Sequence, residues 1–178
     1  MPDYIAFLRA INLGAQRKFP QADIVAATGA AGGRDVKTHI NTGNVRFATS
    51  MRSPTRVRDA LEKAYLADRG FEVPTFVFTP DEVRELTGRG CQLRAENGPG
   101  ARHYVALFHA PPDPAAVAVL QAIAAPGERV VVEGRAAYTL VDGDIHTARL
   151  LTTKEYAALG QATSRTITVL RAITDKWC

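Results

Sequence analysis

The stretch Val36-Lys37-Thr38-His39-Ile40-Asn41-Thr42-Gly43-Asn44-Val45-Arg46-Phe47-Ala48-Thr49 decides the fold. Strict alternation puts Val36, Thr38 and Ile40 on one face of an extended segment and Lys37, His39 and Asn41 on the other. Asn41-Thr42-Gly43-Asn44 carries tight-turn chemistry, and Val45 and Phe47 then resume the inward pattern, so the stretch is a half-buried hairpin. Upstream, Tyr4-Ile5-Ala6-Phe7-Leu8 is an apolar run too short for a helix and is read as a strand. Residues 19–27 form a helix that has Pro20 near its start, with Ile24, Val25 and Ala27 facing a core until Gly29 and Gly32-Gly33. Downstream, Ser53-Pro54-Thr55 opens a second helix, whose Val57, Leu61, Ala64 and Tyr65 recur at helical spacing as far as Gly70. Residues 73–78 give a fourth strand, which Pro74 assigns to a sheet edge. The order strand, helix, strand, strand, helix, strand over residues 3–79 is the split βαβ arrangement of ferredoxin-like domains.

The second half repeats part of this order without repeating its sequence. A helix begins at Pro80-Asp81-Glu82, and the Gly-rich polar residues 87–102 read as the loop between two domains, 1–90 and 91–178. Beyond it come a strand (104–108), a helix (113–124), two strands (129–132 and 137–141) and a helix around 152–159. In the closing segment, 164–177, Ile167, Leu170 and Ile173 fall on one helical face. No closing strand is evident. The expected fold is α+β, two ferredoxin-like subdomains in tandem, the second a variant with a C-terminal helical segment.

A chain of 178 residues, 46% hydrophobic and 22% charged, has the composition of a globular protein and not of a disordered one. Its apolar runs fall well short of the roughly 20 residues a membrane helix requires. The start runs straight into a strand pattern with no signal segment, so the expected location is cytoplasmic. Cys91 and Cys178 are the only cysteines and read as free thiols. The net charge of +4 is unevenly placed: residues 1–80 hold 11 Lys/Arg against 7 Asp/Glu, and the remainder holds 11 of each. The basic excess in the first half suits a phosphate-bearing or otherwise anionic partner, or is simply solvated surface.

With spatial order 4-1-3-2, the end of strand one lies at the same edge as the turn between strands two and three. Arg9-Ala10-Ile11-Asn12-Leu13-Gly14 then meets Asn41-Thr42-Gly43-Asn44, with Gln16-Arg17-Lys18 and the start of helix one alongside. Arg9, Asn12, Lys18, Asn41, Gly43, Asn44 and Arg46 are the candidate ligand-binding residues. Arg9 would pair bidentately with a carboxylate or phosphate, Lys18 would add charge, and the asparagines would orient the ligand. The same parity leaves Lys37, His39, Asn41, Asn44 and Arg46 on a sheet face away from the helices. An open basic face suits single-stranded RNA, although only Phe7 would offer a ring for stacking. A structural account covers the same residues: the asparagines make the turn, Arg9 pairs with an acid, and the face packs against the second domain.

The opening Tyr4-Ile5-Ala6-Phe7-Leu8-Arg9-Ala10-Ile11-Asn12-Leu13-Gly14, followed some thirty residues on by Asn41-Thr42-Gly43-Asn44-Val45-Arg46-Phe47, resembles the bacterial family called domain of unknown function 1697. Its members open Leu-Arg-Gly-Ile-Asn-Val-Gly and continue Gln-Ser-Gly-Asn-Val-Val-Phe. Thr163-Ser164-Arg165 is similar to the family's closing Thr-x-Arg. Ala10 stands where the family has glycine, Asn41-Thr42 where it has Gln-Ser, and Thr166-Ile167 where it has Asn-Trp. The resemblance implies two similar α+β halves and favours Arg9, Asn12, Gly43 and Asn44 as site residues, but it implies no activity.

Catalytic signatures are missing. No serine or cysteine sits in a nucleophile elbow, and no phosphate-loop or dinucleotide pattern occurs. Asp142, Asp144 and His146 alternate, but Asp-Gly-Asp is ordinary turn chemistry, and neither a metal nor a cofactor is expected. The leading expectation is a protein that binds a small anionic or polar ligand, or nucleic-acid phosphate, at the rim of the first domain. An enzyme using the same rim, with His39 as acid/base, and a protein-interaction or dimerisation module remain open. Membrane partners are not expected; oligomeric state, substrate and process are unassigned.

Overall fold

The computed structural model describes residues 1–98, 102–143 and 148–178, and the chain divides into two compact units, Met1–Val83 with Lys176–Cys178, and Arg84–Asp175. In the first unit the elements are β1 (Asp3–Leu8), α1 (Gln21–Ala30), β2 (Arg34–His39), β3 (Asn44–Ala48), α2 (Pro54–Arg69) and β4 (Thr75–Phe78). All pairings are antiparallel, in the order β2-β3-β1-β4, which places β1 at the centre with Tyr4 opposite Phe47 and Ala6 opposite Val45. Tyr4, Ala6, Leu8, Val45, Phe47 and Val77 meet Ile24 and Ala27 of α1 and Val57, Leu61 and Tyr65 of α2 in one buried cluster. The Ser53 hydroxyl caps α2 by accepting from Arg56 N, and Gly70 ends it in the left-handed conformation that glycine adopts without strain.

Two details of the hairpin differ from expectation. β2 stops at His39, because Ile40 has a left-handed φ of +50° and is 41% exposed, so it leaves the inner face to which alternation assigned it. The register between β2 and β3 also shifts between Arg34 and Lys37, where Asp35 has φ +50°.

The second unit begins within α3 (Pro80–Glu96) and continues with β5 (Arg102–Phe108), α4 (Pro114–Gln121), β6 (Glu128–Glu133), β7 (Ala136–Val141), α5 (Lys154–Ala157), β8 (Ala162–Thr166) and α6 (Ile167–Trp177). A single 3-10 turn at Leu150–Thr152 precedes α5. Its sheet is again antiparallel, ordered β6-β7-β5-β8. One face packs Ala106, Phe108, Val130 and Ala137 with Leu120, Leu150 and Leu159. The other carries Val105, Leu107, Tyr138 and Leu140, with Tyr138 donating from its hydroxyl to Leu86 O of α3 at 3.0 Å.

Two sequence expectations are corrected here. Residues 87–96 are helical and not a loop, because Thr79 and Glu82 form a reciprocal capping box that launches α3: Thr79 N donates to Glu82 Oε2 at 2.7 Å and Glu82 N to Thr79 Oγ1 at 3.2 Å. Gly90 lies inside that helix because a Cβ there would come within 2.6 Å of Ile167 Cδ1. A closing strand also exists. β8 pairs with β5, its inward positions being the buried Thr163 and Arg165, whose polarity hid the strand pattern.

Candidate functional site

The two polar segments of the first unit meet. Leu8 N donates to Gly43 O at 2.8 Å, and Asn12 Nδ2 donates to Asn41 O at 2.7 Å. Gly43 is required at this junction twice over. Its φ is +74°, and a Cβ would stand 2.6 Å from Leu8 Cβ and 2.9 Å from Ile11 Cδ1. Asn44 is fully buried in β3, and its amide closes the turn by donating to His39 O at 2.9 Å and Thr42 Oγ1 at 3.0 Å. It is therefore framework and not a ligand contact.

Asn12 organises the loop after β1. Its backbone N donates to Arg17 O at 2.7 Å, its Oδ1 accepts from Phe19 N at 2.9 Å, and its Nδ2 also reaches Phe19 O at 3.3 Å. The residue sits at φ +56°, a conformation that asparagine tolerates better than most residues. Arg17 is a staple: it donates to Ala10 O at 2.6 Å and Glu72 O at 2.7 Å, and its guanidinium lies 4.6 Å from the Phe71 ring centre. Gln21, the first residue of α1, donates to Asn41 Oδ1 at 3.1 Å, which brings the start of that helix to the same rim.

With the asparagines and Arg17 committed to this frame, Arg9 and Lys18 are the cations left over. Arg9 is half-buried and its backbone N donates to Pro74 O at 2.9 Å; among the described residues its guanidinium has neither a hydrogen bond nor an ion pair. Lys18 is exposed and likewise unpartnered among them. Arg46 does not join the rim, because its guanidinium pairs with Asp3 at 2.9 Å toward the opposite end of β1. The acid pairing considered for Arg9 is thus made by Arg46.

The sheet face away from the two helices is not open throughout: Lys37 of β2 is exposed, but the positions on β1 and β4 are not. Ile5, Phe7, Phe76 and Phe78 occupy them and are buried, with Phe7 edge-on to Phe78 at 5.8 Å. Phe7, the one ring considered for base stacking, is inaccessible. His39 lies 3.0 Å through Nδ1 from Lys176 Nζ and edge-on to Trp177, and partial burial followed by the Lys176 charge lowers its pKa.

Sequence reasoning missed a polar group in the second unit. His103 is only 4% exposed and, among the described residues, neither ring nitrogen has a hydrogen-bond partner; burial, then the charge of Arg94, brings its pKa down to about 4. Its position on the apolar face of β5, alternating with Val105 and Leu107, was the signal available. Arg165 is also buried, donating to Thr163 Oγ1 at 2.9 Å and Ser164 O at 2.8 Å, and desolvation lowers its pKa to about 10. Among the described residues no group of three or more His, Cys, Asp or Glu side chains could hold a metal; Asp144 and His146 lie outside them. Among those residues, too, no helix is long and apolar enough to cross a membrane.

Comparison with known proteins agrees with this architecture. The conserved bacterial protein SP0830 from Streptococcus pneumoniae has a similar structure, with a TM-score of 0.74 at 18% identity over 99% of this chain and 98% of that one. At that identity the likeness speaks for the fold alone. No functionally curated protein matches. The model of the family described as protein of unknown function (DUF1697) matches residues 1–138, which takes in the first sheet and the second as far as β7. The chain belongs to the DUF1697 family.

Proposed function

We propose that this is a cytoplasmic binding protein of two ferredoxin-like halves whose first-unit rim holds a small anionic ligand. The observation that carries the reading is Arg9: a half-buried residue whose guanidinium is unpartnered among the described residues, beside loops that hydrogen bonds hold in place. A guanidinium without a counter-charge is open to bidentate pairing, which a carboxylate or phosphate of a ligand supplies. Lys18 adds a second cation on the same loop. The start of α1 has no side-chain cap on Pro20 and turns free backbone N–H groups toward the same end.

Ile40 supports the same reading. A β-branched residue held at positive φ and exposed to solvent is strained without recovering the cost in packing, a condition associated with functional loops. Its chain neighbour Asn41 belongs to the rim, and an exposed apolar side chain next to it suits a ligand that has both an anionic group and an apolar portion. A small metabolite is favoured over single-stranded RNA, because the sheet face that would stack bases is buried.

The test is a thermal-shift screen of wild type, Arg9→Ala and Arg9→Gln against phosphorylated metabolites, organic acids, nucleotides and short oligonucleotides. A ligand at 100 times its Kd stabilises by about 2.7 kcal/mol, a readily measured shift. The expected hit raises the melting temperature of wild type and of neither variant. If every hit shifts all three proteins equally, Arg9 is not the anion contact and the reading fails. A salt series on the hits separates a nucleic-acid backbone, whose binding falls steeply with ionic strength, from a compact metabolite.

A further inference from the structure

We propose a second anion site, in the second unit, where Arg94 of α3 and Arg171 of α6 line a surface pocket of about 490 Å³ together with Cys91, Ala95 and Gly98. The ligand class is an organic oxyanion, a carboxylate or phosphate carried on a small apolar body. Arg94 and Arg171 meet the charge; Cys91, Ala95 and the arginine stems meet the body.

The accounting of acids on α3 is what singles out these two cations. Arg89, five residues earlier, holds two carboxylates: Glu133 binds it through Nε and Nη2 at 2.9 to 3.1 Å, and Glu96 approaches at 3.5 Å. Among the described residues Arg94 and Arg171 have no acid partner, although they share a pocket. Two like charges brought together without a counter-ion repel each other, and an oxyanion between them removes that repulsion.

His103 is the independent observation. It packs against α3 at Gly90, with its Cε1 3.5 Å from where a Cβ on that glycine would stand, one residue before the pocket wall begins at Cys91. Its ring nitrogens are buried and unpartnered among the described residues, Tyr138 flanks the ring at 6.0 Å, and the Arg94 charge reaches it. Tyr138 of β7 in turn feels Glu133, Arg89 and Glu85, so the charges around the imidazole belong to α3 and β6. An anion seated on Arg94 offsets the cation that helps to keep His103 neutral, and the imidazole becomes easier to protonate. Another pocket, about 750 Å³ along α1 and α2, has no such selectivity: alanines line most of it, and Lys63 and Asp68 contribute opposite charges.

The experiment uses the full chain carrying Arg9→Ala, so that the rim of the first unit does not contribute. Benzoate, phenyl phosphate and inorganic phosphate are titrated by NMR into this protein and into the same background with Arg94→Gln, Arg171→Gln or both, while the imidazole proton of His103 is followed against pH. The expected result is binding of phenyl phosphate or benzoate with Kd of about 1 mM or tighter. Each single glutamine variant should weaken it about tenfold, as expected for loss of one charge-assisted contact. Saturation should raise the His103 midpoint in the protein that keeps both arginines and leave it unmoved in the double variant. Arg94→Lys, which preserves the charge and the fold, should recover part of the affinity. No binding up to about 10 mM would overturn the proposal, since that is weaker than two charge-assisted contacts allow. Binding unchanged in the double variant, or a His103 midpoint indifferent to ligand, would overturn it as well.

Discussion

Replacing Asn12 separates what its side chain does from what its backbone conformation costs. The side chain makes hydrogen bonds to Asn41 O at 2.7 Å, from Phe19 N at 2.9 Å and, more weakly, to Phe19 O at 3.3 Å. At about 1 kcal/mol for each of the two shorter bonds, and little for the long one, its removal costs roughly 2 kcal/mol. Alanine must also hold φ +56°, which adds about 1 kcal/mol of left-handed strain, so Asn12→Ala should lose about 3 kcal/mol. Asn12→Gly loses the same bonds without that strain and should fall short of wild type by roughly 2 kcal/mol. Asn12→Asp keeps the acceptor for Phe19 N but sets a carboxylate oxygen against the Asn41 carbonyl, and should resemble glycine. The assay is urea unfolding followed by the fluorescence of Trp177, the only tryptophan, which contacts His39 in the first unit. Hydrogen exchange on the same proteins should show protection lost in residues 8–19 and 39–44 and retained in the second sheet. If Asn12→Ala stays within about 0.5 kcal/mol of wild type, or glycine is no better than alanine, the clamp is not what joins the two loops.

Other substitutions test neighbouring parts of the argument. Gly43→Ala combines left-handed strain with overpacking against Leu8 and Ile11 and should cost about 2 to 4 kcal/mol in urea unfolding; a neutral result would mean that the strand end yields easily. Ala10→Gly and Ile40→Asn relieve positive φ and should each raise stability by about 0.5 to 1 kcal/mol, measured as a shift in the denaturation midpoint. If either destabilises, the residue is not held in the left-handed region. His103 has a folded pKa of about 4, below its ordinary 6.5, so the unfolded chain takes up a proton first as the pH falls. The stability tied to neutral His103 is intact above pH 6.5 and is lost progressively down to about pH 4; His103→Leu should be neutral or stabilising at pH 7 and should flatten that part of the acid limb. An unchanged acid limb in His103→Leu would show that the imidazole does not titrate as its burial dictates.

How much was legible in the sequence depended on whether a residue announced its structure through period or through partners. The hairpin, the flanking helices and the convergence of the polar segments all followed from apolar period and turn chemistry, which are local. β8 was illegible because its inward residues are Thr163 and Arg165, polar groups that a period-two reading assigns to solvent. The start of α3 at Pro80-Asp81-Glu82 was legible, but its continuation was obscured by Gly88 and Gly90. Ile40 was misplaced because alternation carries no information about φ. At the rim, arginines of identical chemistry took different roles: Arg17 found carbonyls and a ring, Arg46 found Asp3, and Arg9 found none of these among the described residues. Such assignments rest on contacts across tens of residues, and no spacing encodes them.

That difference among the arginines bears on what the family signature is for. In the segment from Leu8 to Asn12, Leu8 and Ile11 are core, Ala10 supplies a left-handed turn and Asn12 clamps the loop; in the second segment, Gly43 permits close approach and Asn44 closes the hairpin. Packing or backbone hydrogen bonding accounts for each of these residues without any ligand. A frame of this kind can be shared by proteins with different ligands, because none of its polar groups is left to choose one. On the proposed reading, the choice falls to side chains that project from the frame without being consumed by it, which here are Arg9, Lys18 and the strained Ile40. If so, Lys18→Gln and Ile40→Val, the latter keeping the β-branched strain at positive φ, should change which anions bind while leaving the unfolding midpoint nearly unmoved, whereas exchanging Asn12 or Gly43 should lower the midpoint and weaken every ligand alike. Parallel loss of stability and affinity in the Lys18 variant would place that residue in the frame and return the question of selectivity to Arg9 alone.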